Sequence, residues 1–434
     1  MKIGVASLPL SGHLNPMTAL ARKLQSRGND VVFFRIPDVG PTISAAKLTF
    51  VPFGDDVYPV GSMVEALVPL SKLHGLEALE YTCNNITTAL TRVALEQLPQ
   101  KLAEEGIEAM VIDRGHRFLE LVPINLTMPY VHIWPFLHLD GSGTTPPFFF
   151  SWPHETTPKA HEKNIEGLRE IIGFFAPIQA VAQAYAEKIG LHIDWSDPSA
   201  TISKLAVITQ TPKEFDFPGI PWPHQFHYAG PFHDDNGRAL VPFSWEKLTD
   251  KPLIYASLGT LVNGLDLVYK AILGAVRKLP DVQIVLSIGK NVDPSDLEPI
   301  PSNVIVVRTV PQIELLKRAT LCVTHAGLNT ALECLAQGVP MVAIPNAYDQ
   351  PGVAARIAYH GVGEFLDLEN VTAERLMELI QTVLRSPSYA NQARYFKEVI
   401  AKTRGLDVAA DVIERSFQRT PREELTIAQS EQLG

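Results

Sequence analysis

Short runs of unbroken apolar residues alternate with longer amphipathic segments at both ends of this chain, and that alternation leaves few folds open. "KIGVASL" leads into "NPMTALARKLQSRG" and then into "DVVFFRI". The first and third runs are rich in β-branched and aromatic residues. In the middle one Asn15 reads as an N-cap, Pro16 as the first helical residue and Gly28 as the stop. Parallel strands buried on both faces read as continuous apolar runs and need a crossover helix between them, so this stretch is a β-α-β unit. "AMVID" (Ala109 to Asp113) and "YVHIW" (Tyr130 to Trp134) read as later strands of the same sheet.

The C-terminal part repeats the pattern. "PLIYASLGT", a helix from about Leu265 to Leu279, "VQIVLSIG", "VIVVRTV", a helix around Ile313 to Arg318, "ATLCVTH", a helix starting near Leu328 or Asn329, and "PMVAIP" follow one another. A chain of 434 residues exceeds one ordinary core. The expected fold class is therefore α/β, with two Rossmann-like domains, each holding a parallel sheet. "WPHQFHYAGPFHDDNGRALVPFSW", from Trp222, is rich in Pro, His and Gly without a clean period and reads as a linker. This places the domains at 1–235 and 236–400. Pro387 to Gln418 supply two more amphipathic helices, and 401–434 are expected to cross back to the N-terminal domain.

Composition excludes several classes. A net charge of −10 and a pI near 5.7 disfavour a nucleic-acid partner, which wants a basic face. Three cysteines, Cys83, Cys322 and Cys334, make no disulfide framework and no zinc pattern, so no metal is expected. The apolar start Met1 to Leu10 is too short for a signal peptide's core and cleavage site. "IIGFFAPIQAVAQAYA", from Ile171, is broken by Pro177 and falls short of a membrane span. A soluble, cytoplasmic protein is the expectation.

The chemistry concentrates in "CVTHAGLNTALECLAQGVP", Cys322 to Pro340. The strand before it ends at the carboxyl edge of a parallel sheet, where such folds place ligands. The next helix offers free backbone N–H groups and the positive end of its dipole to a phosphate or carboxylate. His325 and Asn329 add side-chain donors. Glu333, one turn beyond Asn329, does not suit a phosphate; it suits a vicinal diol, as acidic residues do for ribose in other nucleotide folds. Taken singly, His325 reads equally well as a loop donor and Glu333 as a solvated helix position.

Taken together, "VPQIELLKRATLCVTHAGLNTALECLAQGVPMVAIPNAYDQ", Val310 to Gln350, resembles the signature of the family 1 glycosyltransferases, the UDP-sugar-dependent enzymes of the GT-B fold. The order Pro-Gln, His-x-Gly-x-Asn-Thr, Glu, Gly-Val-Pro, Asp-Gln carries the match, and its flavour is bacterial, like macrolide or carotenoid glucosyltransferases. The resemblance implies two sheets facing across a cleft, with the acceptor on the N-terminal domain and the nucleotide sugar on the C-terminal one. It implies that His325 donates to a phosphate, that Gly327, Leu328, Asn329 and Thr330 lie at the diphosphate, and that Glu333 takes the ribose hydroxyls. Gln312 would sit near the ribose, and the backbone at Val310 would read the base. Asp349 and Gln350 would bind hydroxyls of the transferred sugar. "SLGT", with Ser257, Gly259 and Thr260, resembles the family's small-residue loop near the phosphates. Plant members carry tryptophans where this chain has Thr309 and Leu328.

"PLSGHLNP", Pro9 to Pro16, follows the first strand where a dinucleotide fold would place its glycine-rich loop. The glycines are missing and His13 stands there instead, at the edge facing the second domain; the bland alternative is a histidine that pins the loop. Imidazole suits proton removal from a hydroxyl near neutral pH, and works better when a carboxylate orients it. Asp113 closes "AMVID" at the same edge, and the family uses such a His–Asp pair. Arg114 and His116 are rivals for that carboxylate. Trp134, Phe136, Phe148, Phe149 and Trp152 are the candidate acceptor residues, with ordinary core as the alternative.

The resulting expectation is an inverting transferase. It would move a hexose, glucose first, from a UDP-sugar co-substrate to a lipophilic flavonoid-, terpenoid-, carotenoid- or macrolide-type alcohol. No tightly bound cofactor is expected, and the lack of any Asp-x-Asp points away from a metal-clamped diphosphate. A sugar-nucleotide 2-epimerase or a non-catalytic sugar-nucleotide-binding subunit are the alternatives.

Overall fold

A computed structural model describes residues 1–234 and 241–418. The first apolar runs form β1 (Lys2–Ala6), β2 (Asp30–Arg35), β3 (Thr49–Pro52), β4 (Ala109–Asp113), β5 (Tyr130–Trp134), β6 (Val207–Thr209) and β7 (Phe226–Tyr228). They make one parallel sheet in the order β3-β2-β1-β4-β5-β6-β7. The second sheet holds β8 (Leu253–Ser257), β9 (Gln283–Ser287), β10 (Val304–Val307), β11 (Leu321–Thr324), β12 (Met341–Ala343) and β13 (Gly363–Phe365). It too is parallel, in the order β10-β9-β8-β11-β12-β13. Strand order reverses between β1 and β4 in one lobe and between β8 and β11 in the other. At such reversals the flanking helices diverge and leave a crevice at the carboxyl ends.

Several expectations need correction. The first helix spans Ser11–Ser26, so it starts before the Asn15–Pro16 pair that reads as its N-terminus. Leu10 is extended, and His13 and Leu14 already donate to the Leu10 carbonyl, which closes a turn ahead of Pro16. The segment read as a linker contains β7, with Trp222 stacked on Phe226 at 3.9 Å. Strands β3, β6 and β13 carry no legible period, because three or four residues at or near a sheet edge show none. The boundary placed at 235/236 falls in 235–240, and the tail 419–434 of the last segment also lies outside the described residues.

The cores follow the pattern. Ile3, Val5, Met17, Leu20, Val111 and Ile133 lie in the first, and Ile254, Ile284, Leu286, Val323 and Val342 in the second. Helix Gly405–Gln418 leaves the second lobe and packs on helix Ser11–Ser26, burying Ala409, Ala410, Ile413 and Phe417 in the first core. Arg27 fixes it with ion pairs to Asp407, Asp411 and Glu414. The lobes are also joined through Asp216, which accepts from Arg356 and His138 in a fully buried cluster. Cys83, Cys322 and Cys334 are free and buried. Among the described residues no helix is long and apolar enough to cross a membrane.

Candidate active site

Both strand reversals carry chemistry. At the first, His13 sits in the opening turn of helix Ser11–Ser26 and Asp113 ends β4. His13 Nδ1 lies 2.8 Å from Asp113 Oδ2. Asp113 has no exposed surface and is held by three further donors: Ser7 Oγ and the Leu8 N–H on Oδ2, each at 2.9 Å, and the Gly115 N–H on Oδ1 at 2.8 Å. Burial alone would push this carboxyl up, but the His13 charge and hydrogen bond, with the Leu8 and Gly115 amides, outweigh it and hold Asp113 below the usual carboxylate range. A carboxylate only accepts, so Nδ1 carries a proton, and in the neutral ring Nε2 is left with a lone pair. That is the tautomer of a general base.

The two rivals for Asp113 are otherwise engaged. Arg114 pairs with buried Glu120 at 3.4 Å. His116 Nδ1 lies 3.5 Å from Arg35 Nη1, and burial together with the Arg35 charge pushes His116 down to about 3, so it stays neutral.

At the second reversal, β11 gives way to helix Leu328–Gln337 through His325, Ala326 and Gly327. Ala326 has φ +63°, a left-handed conformation that costs a non-glycine residue about 1–2 kcal/mol. The helix has no side-chain cap on its N-terminus, and the amides of its first turn have no intrahelical acceptor. The imidazole of His325 is wedged between glycines: a Cβ on Gly259 would come within 2.7 Å of Nε2, and one on Gly327 closer still. Burial drives its pKa down to about 4, so before a ligand binds the ring is neutral near pH 7. Ser257 ends β8, and Thr260 follows in the same loop.

Deeper in the cleft, Gln312 Nε2 donates to Glu333 Oε2 at 2.7 Å and to Thr330 Oγ1 at 3.3 Å, while its Oε1 accepts from the Tyr255 hydroxyl at 2.7 Å. Val310 is half-buried just before this group, and Leu328 is buried in the second lobe's core. Asp349 precedes helix Gln350–Tyr359 and accepts from the Leu137 N–H at 2.9 Å. Burial pushes its pKa up, against the pull of the Leu137 amide and the His13 charge. Gln350 turns its carbonyl inward to the Asn346 and Ala347 amides.

The lobes touch at this point. Ser11 Oγ lies 2.8 Å from Thr260 Oγ1. Asn329 Nδ2 donates to the Gly12 carbonyl at 2.7 Å, and its Oδ1 accepts from Gln210 Nε2 at 2.8 Å. A small cavity of ≈ 40 Å³ lies beside them, lined by Asn15, Pro16, Arg22, Phe232, Asn329 and Glu333 among others. The backbone beside His13 and the amino end of helix Leu328–Gln337 are thus in direct contact.

The aromatic candidates separate. Phe136 lies 5.1 Å from the His13 ring, with Trp134 4.9 Å beyond it. Phe148 is buried against helix Gln350–Tyr359, where Gly352 donates to its carbonyl, and Phe149 packs on it at 4.3 Å. Trp152 stacks on Phe150 and packs on Gly167, under Lys163. It stands apart from the His13–Phe136 group.

Known proteins of this architecture share the sequence as well. Residues 270–415 match the family described as erythromycin biosynthesis protein CIII-like, C-terminal domain. A zeaxanthin glucosyltransferase of Pantoea ananas is 26% identical over 409 residues, 94% of this chain and 94% of that protein. The demethyllactenocin mycarosyltransferase of Streptomyces fradiae is 28% identical over 420 residues, 94% of this chain and 84% of its own. The solved kitacinnamycin glycotransferase superposes with a TM-score of 0.73 at 24% identity, over 96% of this chain and 98% of that one. These similarities support a family 1 glycosyltransferase of the GT-B fold.

Three residues that hydrogen-bond to the candidate site residues escape a reading of the sequence: Ser7, Gln210 and Tyr255. Ser7 and Tyr255 did leave a signal, each a polar group in or beside an otherwise apolar strand. Gln210 left none, since its partner is 119 residues away.

Proposed function

We propose that this glycosyltransferase moves a hexosyl group, glucose first among the candidates, from a UDP-sugar to a hydroxyl of a lipophilic small molecule, with inversion and without a metal. One observation carries the reading: the His13–Asp113 pair and the uncapped end of helix Leu328–Gln337 meet from opposite lobes, joined by the Asn329–Gly12 hydrogen bond next to His13. The acceptor hydroxyl gives its proton to His13 Nε2 as its oxygen bonds to the anomeric carbon. The bond from that carbon to the diphosphate breaks, and the electron pair leaves with UDP. The helix amides and the His325 N–H receive the charge, the kind of stabilisation from which most catalytic advantage comes. One displacement inverts the anomeric centre.

Glu333, ordered by Gln312, offers a carboxylate to ribose hydroxyls, and Asp349 one to the sugar. Phe136 and Trp134, next to His13, favour an apolar acceptor, and the relatives' carotenoid and macrolide substrates are of that kind. With Thr309 in place of a stacking tryptophan, dTDP-sugars are the competing donors. A cytoplasmic setting fits the three free thiols.

The test measures nucleotide release from UDP- and dTDP-sugars with a panel of phenolic, terpenoid and macrolide alcohols, in chelator. Glycoside of inverted configuration, formed faster from UDP-sugars, is expected. His13→Ala should lose roughly 10²–10⁴ in turnover, the usual worth of a positioned base, with donor affinity little changed. Wild-type turnover in that variant removes His13 from the mechanism.

A further inference from the structure

Pro16 sits inside helix Ser11–Ser26, four residues after Gly12. In an unbroken helix the N–H at 16 would bond to the Gly12 carbonyl; proline has none, and its ring presses that carbonyl outward. The oxygen so released does not go unused. It accepts from Asn329 Nδ2 at 2.7 Å, across the lobe boundary. Asn329 is turned by Gln210, whose Nε2 donates to Oδ1 at 2.8 Å, so the amide can only present its N–H₂ to Gly12. Gly12 is bonded directly to His13, and Asn329 stands on the first turn of the helix expected to hold the diphosphate.

We propose that Pro16, Asn329 and Gln210 form a positioning contact that registers His13 against the donor. The proline provides a free carbonyl, Gln210 fixes the polarity of the asparagine amide, and Asn329 ties the backbone beside the base to the helix beneath the leaving group. Pro16 and Gln210 are positioning residues, acting through the Gly12 carbonyl and the Asn329 amide. Asn329 has one N–H left for a phosphate, so this contact and a ligand are compatible. The inference rests on the reading of His13 as the base.

The test is Pro16→Ala, which restores the N–H and draws the Gly12 carbonyl back along the helix axis. Alanine is the best helix former, so the variant should melt no lower than the parent. Its kcat should fall about tenfold, since small misplacements of a catalytic group cost up to about 10², with KM for donor and acceptor within about twofold. Gln210→Leu should lower kcat in the same way. In a double-mutant cycle Pro16→Ala should add no further loss once Asn329→Ala is present, because both remove one contact. A kcat within twofold of the parent for a well-folded Pro16→Ala, or losses that multiply in the cycle, overturns the proposal. His13→Ala is run alongside. If it is inactive while Pro16→Ala is unaffected, only the positioning contact fails; if it turns over normally, the base reading itself has failed.

Discussion

Replacing Asp113 by asparagine separates two things a carboxylate does for a histidine base: it orients the ring and it stabilises the imidazolium. The surroundings decide which one is lost. Oδ2 of Asp113 receives three donors, from Ser7, Leu8 and His13, whereas Oδ1 receives one, from Gly115. An asparagine with its N–H₂ at the Oδ2 place would face three donors at once. With its N–H₂ at the Oδ1 place it faces only the Gly115 N–H. The second orientation wins, so the amide oxygen still accepts from His13 Nδ1 and the tautomer is kept.

What disappears is the charge. A hydrogen bond to an ionised group is worth about 1.5–3 kcal/mol, roughly twice a neutral one. The imidazolium formed in the transition state raises the loss to about 2–3 kcal/mol, or about 30- to 160-fold in kcat. Asp113→Ala should fare worse, within the roughly 10²–10⁴ expected for loss of the base, because it also frees the ring and strips the Ser7, Leu8 and Gly115 donors of their acceptor. The assay is initial-rate nucleotide release at saturating donor and acceptor, with melting curves to show that each variant folds. Two results refute the reasoning: an asparagine variant as slow as His13→Ala, or one as fast as the parent.

Two further outcomes can be checked directly. His325 is held near 4 by burial, below the ordinary histidine value of about 6.5. The unfolded chain therefore binds the extra proton first, and His325 makes the fold lose stability as pH drops from about 6.5 towards 4. Urea midpoints at pH 7 and pH 5 should fall more for the parent than for His325→Gln. Tyr255→Phe removes the donor that anchors the Gln312 amide, so its N–H₂ is held less firmly on Glu333. The preference for UDP over 2′-deoxy-UDP, read by calorimetry, should shrink by about threefold to tenfold, the worth of one net hydrogen bond; an unchanged ratio counts against Tyr255 as the orienting group.

How far the sequence could be read depends on distance along the chain. Strands β1, β2, β4, β5 and most of the second sheet declare themselves because burial on both faces leaves unbroken apolar runs. The loop at His325 is legible because the strand end, the turn and the uncapped helix are consecutive. The start of the first helix is not: Asn15–Pro16 has the look of an N-terminus, and only the extended Leu10 and the turn it closes put the helix earlier. The aromatic set shows the same limit. Composition marks Phe136 and Trp152 alike, but Trp152 is taken by Phe150 and Gly167, a packing choice made by the helix Pro158–Phe174. Gln210 and the Gly12 carbonyl belong to contacts that exist only once both lobes are folded.

The charges in the crevice are unequal on its two sides, and the proposed chemistry explains why. The reaction moves a proton onto His13 and a negative charge onto the diphosphate, so it creates a separated ion pair. On the His13 side stand the buried carboxylate of Asp113 and, within reach of the His13 charge, that of Asp349. At the amino end of helix Leu328–Gln337 stand amide dipoles and a histidine kept neutral by burial, with the Glu333 carboxylate a turn further on and Arg22 already paired with Asp234. A fixed cation there would bind the product UDP about as well as the transition state and slow its release; dipoles fixed in place by the fold strengthen their hold mainly as charge develops. The neutral His325 and the uncapped helix therefore suit turnover better than a lysine or arginine at the same position would.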